Sequence, residues 1–371
     1  MNNLANPEML LLARESRGIT QSQLAEKINV SQAAISKAEK FSNKISEQLL
    51  SDISRELKYP ISFFYQNGKR FSTTNPFHRK KQSIPQKTLD KIEAIANIKR
   101  IHIEKLLESI EIESTSIPYV DKDEYSSIED IALHVRQLLR LPRGPIENIT
   151  SIIENFGIPV ILCDFYTDKI DGFTISNILT NIIFVNINMP WCRIRFTLAH
   201  ELGHIILNHT HELGIEDEAN QFASSFLMPK NDIYKDFLGE RITLERIASL
   251  KPYWKVSMQS LIYRAKSLNL IDDKIYQNLW ITLNKLGYKK REPVNLNIKN
   301  ENPTLFKTLI DIHKNDLKYS TNELFEFLNI YEQDFNEMYP EMNNKEKKIS
   351  LKLVKWSQTS CLITTNGFLE N

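Results

Sequence analysis

The chain has 371 residues, a formal net charge of +1, and 42% hydrophobic and 25% charged residues; this length implies two to three folding units with cores of their own, and the balanced charge excludes a uniformly basic nucleic-acid coat. Three cysteines, far apart and without a CxxC pair, exclude a disulfide framework and suit a reducing compartment. With no basic region before its short N-terminal apolar patch and no uncharged apolar run of membrane-spanning length, the chain reads as an unprocessed cytoplasmic protein with no membrane partner.

Residues 5–66 alternate short helical patterns with polar turns. In "ITQSQLAEKINVSQAAISKAEK", residues 19–40, Leu24, Ala25, Ile28, Val30, Ile35 and Ala38 are the apolar positions of two short helices. Thr20 and Ser31 can cap these helices at Gln21 and Gln32, and Asn29 tolerates a left-handed turn between them. The stretch resembles the XRE, or Cro/C1-type, helix-turn-helix family. That resemblance implies an all-α bundle whose second motif helix enters the major groove of a double-stranded DNA operator. Carried over residue by residue, it implies that Gln32, Ala33, Ser36 and Lys37 face base edges and that Gln21 touches the backbone. Gln32 has the two-pronged amide that suits adenine, and Lys37 can reach guanine or a phosphate. Asn29 stands where the family usually has glycine. The alternative is a helical bundle with no nucleic-acid partner.

Residues 67–125 read as a basic, then acidic, helical linker. Residues 69–105 carry 10 Lys+Arg against 3 Asp+Glu, and residues 106–130 carry 1 against 8. The basic stretch "GKRFSTTNPFHRKK" offers phosphate contacts or simply a solvated linker. Leu89, Ile92, Ile95, Ile98, Ile101, Leu106 and Ile110 predict an amphipathic helix, either packed within the chain or dimerising, which leaves a homodimer open.

Residues 126–290 mix elements. "IPVILCDF" and "NIIFVNIN" are β-rich runs and "DGFTIS" is a strand opened by a turn, among long helical patterns, so an α+β domain is expected. The stretch "RFTLAHELGHIILNH", residues 195–209, contains HExxH. Residues four apart share a helix face, so His200 and His204 can present imidazoles to one ion with Glu201 beside them. A zinc ion in such a site lowers the pKa of its water to about 7, and a neighbouring carboxylate takes the proton, the role expected of Glu201. Gly203 is costly in a helix unless another group passes close. A third ligand is needed, and "EDEANQFASSFLMP" offers Glu216, Asp217 and Glu218 on a second helix ended by Pro229. Periodicity does not choose among these acids.

Together the two stretches resemble the ImmA/IrrE family of zinc metallopeptidases, a likeness running from about residue 126 to 275. The resemblance implies a small zincin-like domain in which His200, His204 and Glu218 hold Zn2+. It also implies peptide-bond hydrolysis of a regulatory protein, in particular a helix-turn-helix repressor. In such a fold an edge strand near "NIIFVNIN" would hold the substrate in extended form. His209, His211 and Cys192 read as packing or surface residues rather than ligands. Tyr253, Tyr263 and Arg264 remain open as oxyanion stabilisers.

Residues 295–371 predict a small helical C-terminal extension of no legible chemistry. No GxxxxGK[ST], strand-borne GxGxxG or GxSxG is present, so nucleotide hydrolysis, dinucleotide redox and serine esterase chemistry have no support. Two further functions stay open. One is a non-proteolytic regulator whose zincin domain senses a ligand, metal or peptide; the other is a toxin-antitoxin or phage-defence component.

Overall fold

Local capping starts the N-terminal bundle of the computed structural model, which describes residues 4–41, 45–71, 84–112, 120–176, 180–208, 214–239, 241–293, 296–343 and 353–354. Asn6 accepts from Glu8 N at 3.1 Å to open α1 (Pro7–Ser16). A reciprocal Thr20–Gln23 capping box opens α2 (Gln21–Lys27), and Ser31 caps α3 (Gln32–Ala38) from Ala34 N. Between them Asn29 takes φ 56°, the left-handed turn its side chain tolerates. Helix α4 (Glu47–Leu57) and a 3-10 turn at Ile61–Tyr65 close a core that includes Leu10, Leu24, Ile35, Ile53 and Phe63.

The predicted linker helix, α5 (Gln86–Glu108), serves two cores. Ala94, Ile98 and Ile101 complete the helix-turn-helix core, while Leu89, Ile92, Ala96, Ile103 and Leu106 pack into a second core with the sheet. Its buried polar residues have partners from distant segments. Asn97 Nδ2 donates to Phe71 O at 3.0 Å, Lys99 Nζ to Met338 O at 2.6 Å, and His102 Nδ1 lies 2.9 Å from Tyr339 Oη. Burial, aided by Lys105 and Lys99, pushes His102 down to about 3. The stripe that suggested a dimerising helix is therefore largely covered by this chain's own bundle and sheet. Of the basic stretch before it, Arg70 is bound to Glu15 at 3.1 Å and Glu93 at 2.8 Å. Residues 72–83 lie outside the described residues.

After a two-residue strand β1 (Glu111–Ile112) come α6 (Ile128–Leu138) and α7 (Ile149–Asn155). The strands β2 (Val160–Cys163), β3 (Gly172–Ser176) and β4 (Asn181–Asn186) follow. Sheet order is β2-β4-β3, with β2 parallel and β3 antiparallel to β4, and Thr174 opposite Ile183. The "NIIFVNIN" run is thus the central strand, and β2 and β3 are the edges. The reason lies in the run itself: Ile182, Ile183, Phe184 and Val185 are all buried, the pattern of a strand covered on both faces. One face, through Val160, Ile183 and Val185, meets α8 (Trp191–Ile206); the other, through Ile161, Phe173, Ile182 and Phe184, meets α5. Helices α9 (Ile215–Leu227), α10 (Lys230–Phe237), α11 (Leu244–Trp254), α12 (Met258–Ser267) and α13 (Asp273–Lys285) complete the α+β domain.

The described part of the C-terminal extension is largely helical, as expected: α14 (Leu305–Asn315), α15 (Thr321–Leu328) and α16 (Glu332–Met338) enlarge the core shared by α5 and the sheet. A short β5 (Leu353–Val354) pairs with β1. Two carboxylates tie the extension to the α+β domain by capping helices across the junction. Glu154, at the end of α7, accepts from Thr304 N and Leu305 N at 2.9 and 3.0 Å. Glu301 accepts from Ile149 N at 2.8 Å and forms an ion pair with the fully buried Arg195 of α8. Arg17, just after α1, reaches Asp334 at 2.7 Å, joining the bundle to the extension.

Candidate metal centre

Helix α8 is apolar toward the sheet through Ile194, Leu198 and Leu202, which fixes the face on which its histidines emerge. His200 Nε2 and His204 Nε2 lie 3.0 Å apart. Helix α9 packs against α8, and its Phe222 seats on Gly203, where an added Cβ would meet ring carbons at 3.0 and 3.2 Å and Phe222 Cβ at 3.3 Å. That contact answers the glycine's cost in mid-helix.

The acid brought to the histidines is Glu216. Its Oε2 is 3.4 Å from His200 Nε2 and its Oε1 3.4 Å from His204 Nε2. Glu218, the residue implied by resemblance, instead forms an ion pair with Lys122. Two residues turn a helix by about 200°, so with Ala219 and Phe222 on the core the two glutamates cannot share a face. Glu216 is also four residues from Asn220, whose Oδ1 lies 3.1 Å from His200 Nδ1. Such a contact favours the tautomer with its proton on Nδ1 and leaves Nε2 as a ligand atom.

The donor set suits a metal ion. His200, His204 and Glu216 each present one ligand atom within 4.8 Å of the others. Ligand atoms about 2.1 Å from a tetrahedral ion sit about 3.4 Å apart, close to the separations found. Glu216 Oε1 is buried and makes no hydrogen bond among the described residues, a cost that an ion would relieve. Burial works against ionisation of Glu216, but His200 and His204 outweigh it and hold the carboxyl down to about 2. For His200, burial lowers the pKa and the carboxylates of Glu216 and Glu201 more than restore it, leaving it above the usual value.

Glu201 is 2% exposed, and its Oε2 accepts from Thr174 Oγ1 of the edge strand at 2.7 Å. Strand and helix come this close because residue 172 is glycine: a Cβ there would meet Thr197 Cγ2 at 2.6 Å and Phe184 O at 2.8 Å. Thr174 and Asn220 were not singled out from the sequence; for Asn220 the four-residue spacing from Glu216 was the available signal.

The remaining candidates divide. Arg264 is committed to Glu129, at 2.6 and 2.8 Å, and to Met228 O at 2.9 Å, so it is not available to an oxyanion. Tyr253 packs by Trp254, whereas Tyr263 lines a cleft beside the metal cluster. Cys192 is buried, and burial pushes its thiol up. His209 and His211 lie outside the described residues.

On the bundle, Gln32, Ala33 and Lys37 are exposed and Ser36 is half-buried, on the one short helix α3. Gln21 and Gln32 are joined at 2.7 Å, and Gln21 donates to Glu39 at 2.6 Å. Glu39 in turn holds Arg14 at 2.5 Å. The amide of Gln32 is thereby steadied from behind while its helix faces solvent.

Comparison with known families agrees with both halves. Residues 153–266 match the model of peptidase family M78, the IrrE N-terminal-like domain, and residues 10–64 match the helix-turn-helix family. No curated protein matches the chain. The chain therefore couples a helix-turn-helix domain to an IrrE-like peptidase domain. No helix among the described residues is long and apolar enough to cross a membrane.

Proposed function

We propose that this protein is a DNA-binding zinc metallopeptidase that cleaves a regulatory protein, a helix-turn-helix repressor being the class the resemblance implies. The observation that carries the reading is the convergence of Glu216 on both imidazoles, with Glu201 buried beside them. In this reading His200, His204 and Glu216 hold the ion, and zinc, when bound, supplies Lewis acidity and a water of lowered pKa. Glu201 receives the proton, and Thr174 keeps its carboxylate in place. The edge strand β3, rather than the central β4, would pair with an extended substrate. Helix α3 would read an operator with Gln32, Ala33, Ser36 and Lys37, with Gln21 beside the backbone. The setting is the cytoplasm.

The test is metal analysis of the full chain with a capture experiment on Glu201→Gln. Both proteins should carry zinc, only the wild type should cut candidate repressors, and the variant should retain the partner it cannot cut. A rate loss of about 10²–10⁴-fold is expected for removal of a general base. Cutting by Glu201→Gln at the wild-type rate would overturn the assignment.

A second reading, a non-proteolytic sensor, draws on the continuity of packing from the bundle through α5 to the sheet that carries α8. It requires operator affinity to change with zinc even in Glu201→Gln.

A further inference from the structure

A cleft of about 1670 Å³ adjoins the metal cluster, lined by α8, α9, α12 and the chain after α13. It meets the cluster at Thr197, one turn before His200, and at Asn220, which contacts His200. Ile187, Phe196 and Leu268 give it apolar surface, and serines from α9 and α12 give it hydrogen-bonding sites.

Its charges are unevenly disposed. Arg193 is paired with Asp171 at 2.8 Å, Lys251 with Glu292 at 2.5 Å, and Arg264 with Glu129. Lys289, Lys290 and Arg291 are exposed and form no ion pair among the described residues. They adjoin Glu292, whose charge and that of Lys251 are felt by the Cys192 thiol at the start of α8. The eight residues from Cys192 to His200 rise about 12 Å along the helix. At the metal end the exposed charge is instead acidic, Asp217. A nucleic-acid strand would set phosphates against both ends alike, so this polarity fits a polypeptide better.

We infer that the cleft takes an extended polypeptide segment whose acidic side chains lie about four residues from the bond presented to Glu201, since a strand advances about 3.3 Å per residue. The inference rests on the peptidase reading. Carboxylates at that distance meet Lys289, Lys290 and Arg291, while the residues between lie on the apolar stretch. Distal charge then selects the substrate, leaving the residues at the cut less constrained.

The test uses zinc-loaded, full-length Glu201→Gln and three fluorescein-labelled peptides of about 12 residues. They share an apolar centre and carry Glu, Gln or Lys about four positions to either side. At low salt the Glu peptide should bind about ten-fold more tightly than the Gln peptide, and the gap should narrow as salt rises. The triple substitution Lys289→Gln, Lys290→Gln, Arg291→Gln should abolish the gap, with zinc content and melting temperature unchanged. Equal binding of Glu and Gln peptides, or a preference that survives the triple substitution, would overturn the inference. So would a single-stranded oligonucleotide that displaces the Glu peptide and itself depends on the three cations. Charge-selective binding without any cutting by wild type would remove the peptidase reading and leave the cleft assignment. Cutting indifferent to distal charge would do the reverse.

Discussion

The α2–α3 and α8–α9 pairs are both helix hairpins, and they treat polar groups in opposite ways. In the first, Arg14 of the neighbouring α1, Glu39, Gln21 and Gln32 form a chain of contacts that ends on the exposed Gln32. In the second, two imidazole nitrogens face each other at 3.0 Å, and Glu216 Oε1 is buried and makes no hydrogen bond among the described residues. A network with its members paired stiffens a scaffold; a buried carboxylate oxygen without a hydrogen bond, set beside two imidazoles, suits a cation. The difference separates a recognition surface from a binding centre.

The largest expected effect bears on the support of the second hairpin. Glu301→Gln would leave Arg195 buried without its charge partner and should cost about 3–5 kcal/mol, read from the urea midpoint of unfolding. A loss under about 1 kcal/mol would show that the extension does not hold α8. Next comes the helix between the hairpins. His102 stays neutral in the fold down to about 3 against an ordinary 6.5, so as pH falls below 6.5 the unfolded chain gains the proton first and stability is lost. By pH 5 the loss should reach about 2 kcal/mol, and His102→Gln should flatten that part of the stability profile. An unchanged profile would contradict the burial of this face of α5. Smallest is the first hairpin's surface: Gln32→Ala should weaken operator binding by about 1–3 kcal/mol and relax one base position, whereas Lys37→Gln should chiefly lower the salt slope. Uniform weakening by both would reduce α3 to a phosphate contact.

Legibility followed the range of the interactions. The caps at Thr20 and Ser31 and the turn at Asn29 are set within four residues, and so is the His200–His204 pair, so each could be read from its own stretch. Glu216 could not, because its choice depends on how α9 is rotated against α8, a matter of where Phe222 seats on Gly203. Helix α5 was legible as an amphipathic helix, but its partners were not: Lys99 and Lys105 donate to carbonyls of Met338 and Phe327, more than 200 positions away. The central place of β4 was in principle visible, since four buried apolar residues in succession leave no solvent face.

The most direct test is the zinc affinity of Glu216→Gln beside that of Glu218→Gln, measured by chelator competition on the full chain. Removing a true third ligand should weaken binding by at least about 10–100-fold, the loss already seen when ligand-supporting groups are removed. Glu216→Gln should show that loss, while Glu218→Gln, which gives up its pairing with Lys122, should bind as wild type does. The opposite pattern, with Glu216→Gln retaining zinc and Glu218→Gln releasing it, would contradict the site described for α8 and α9.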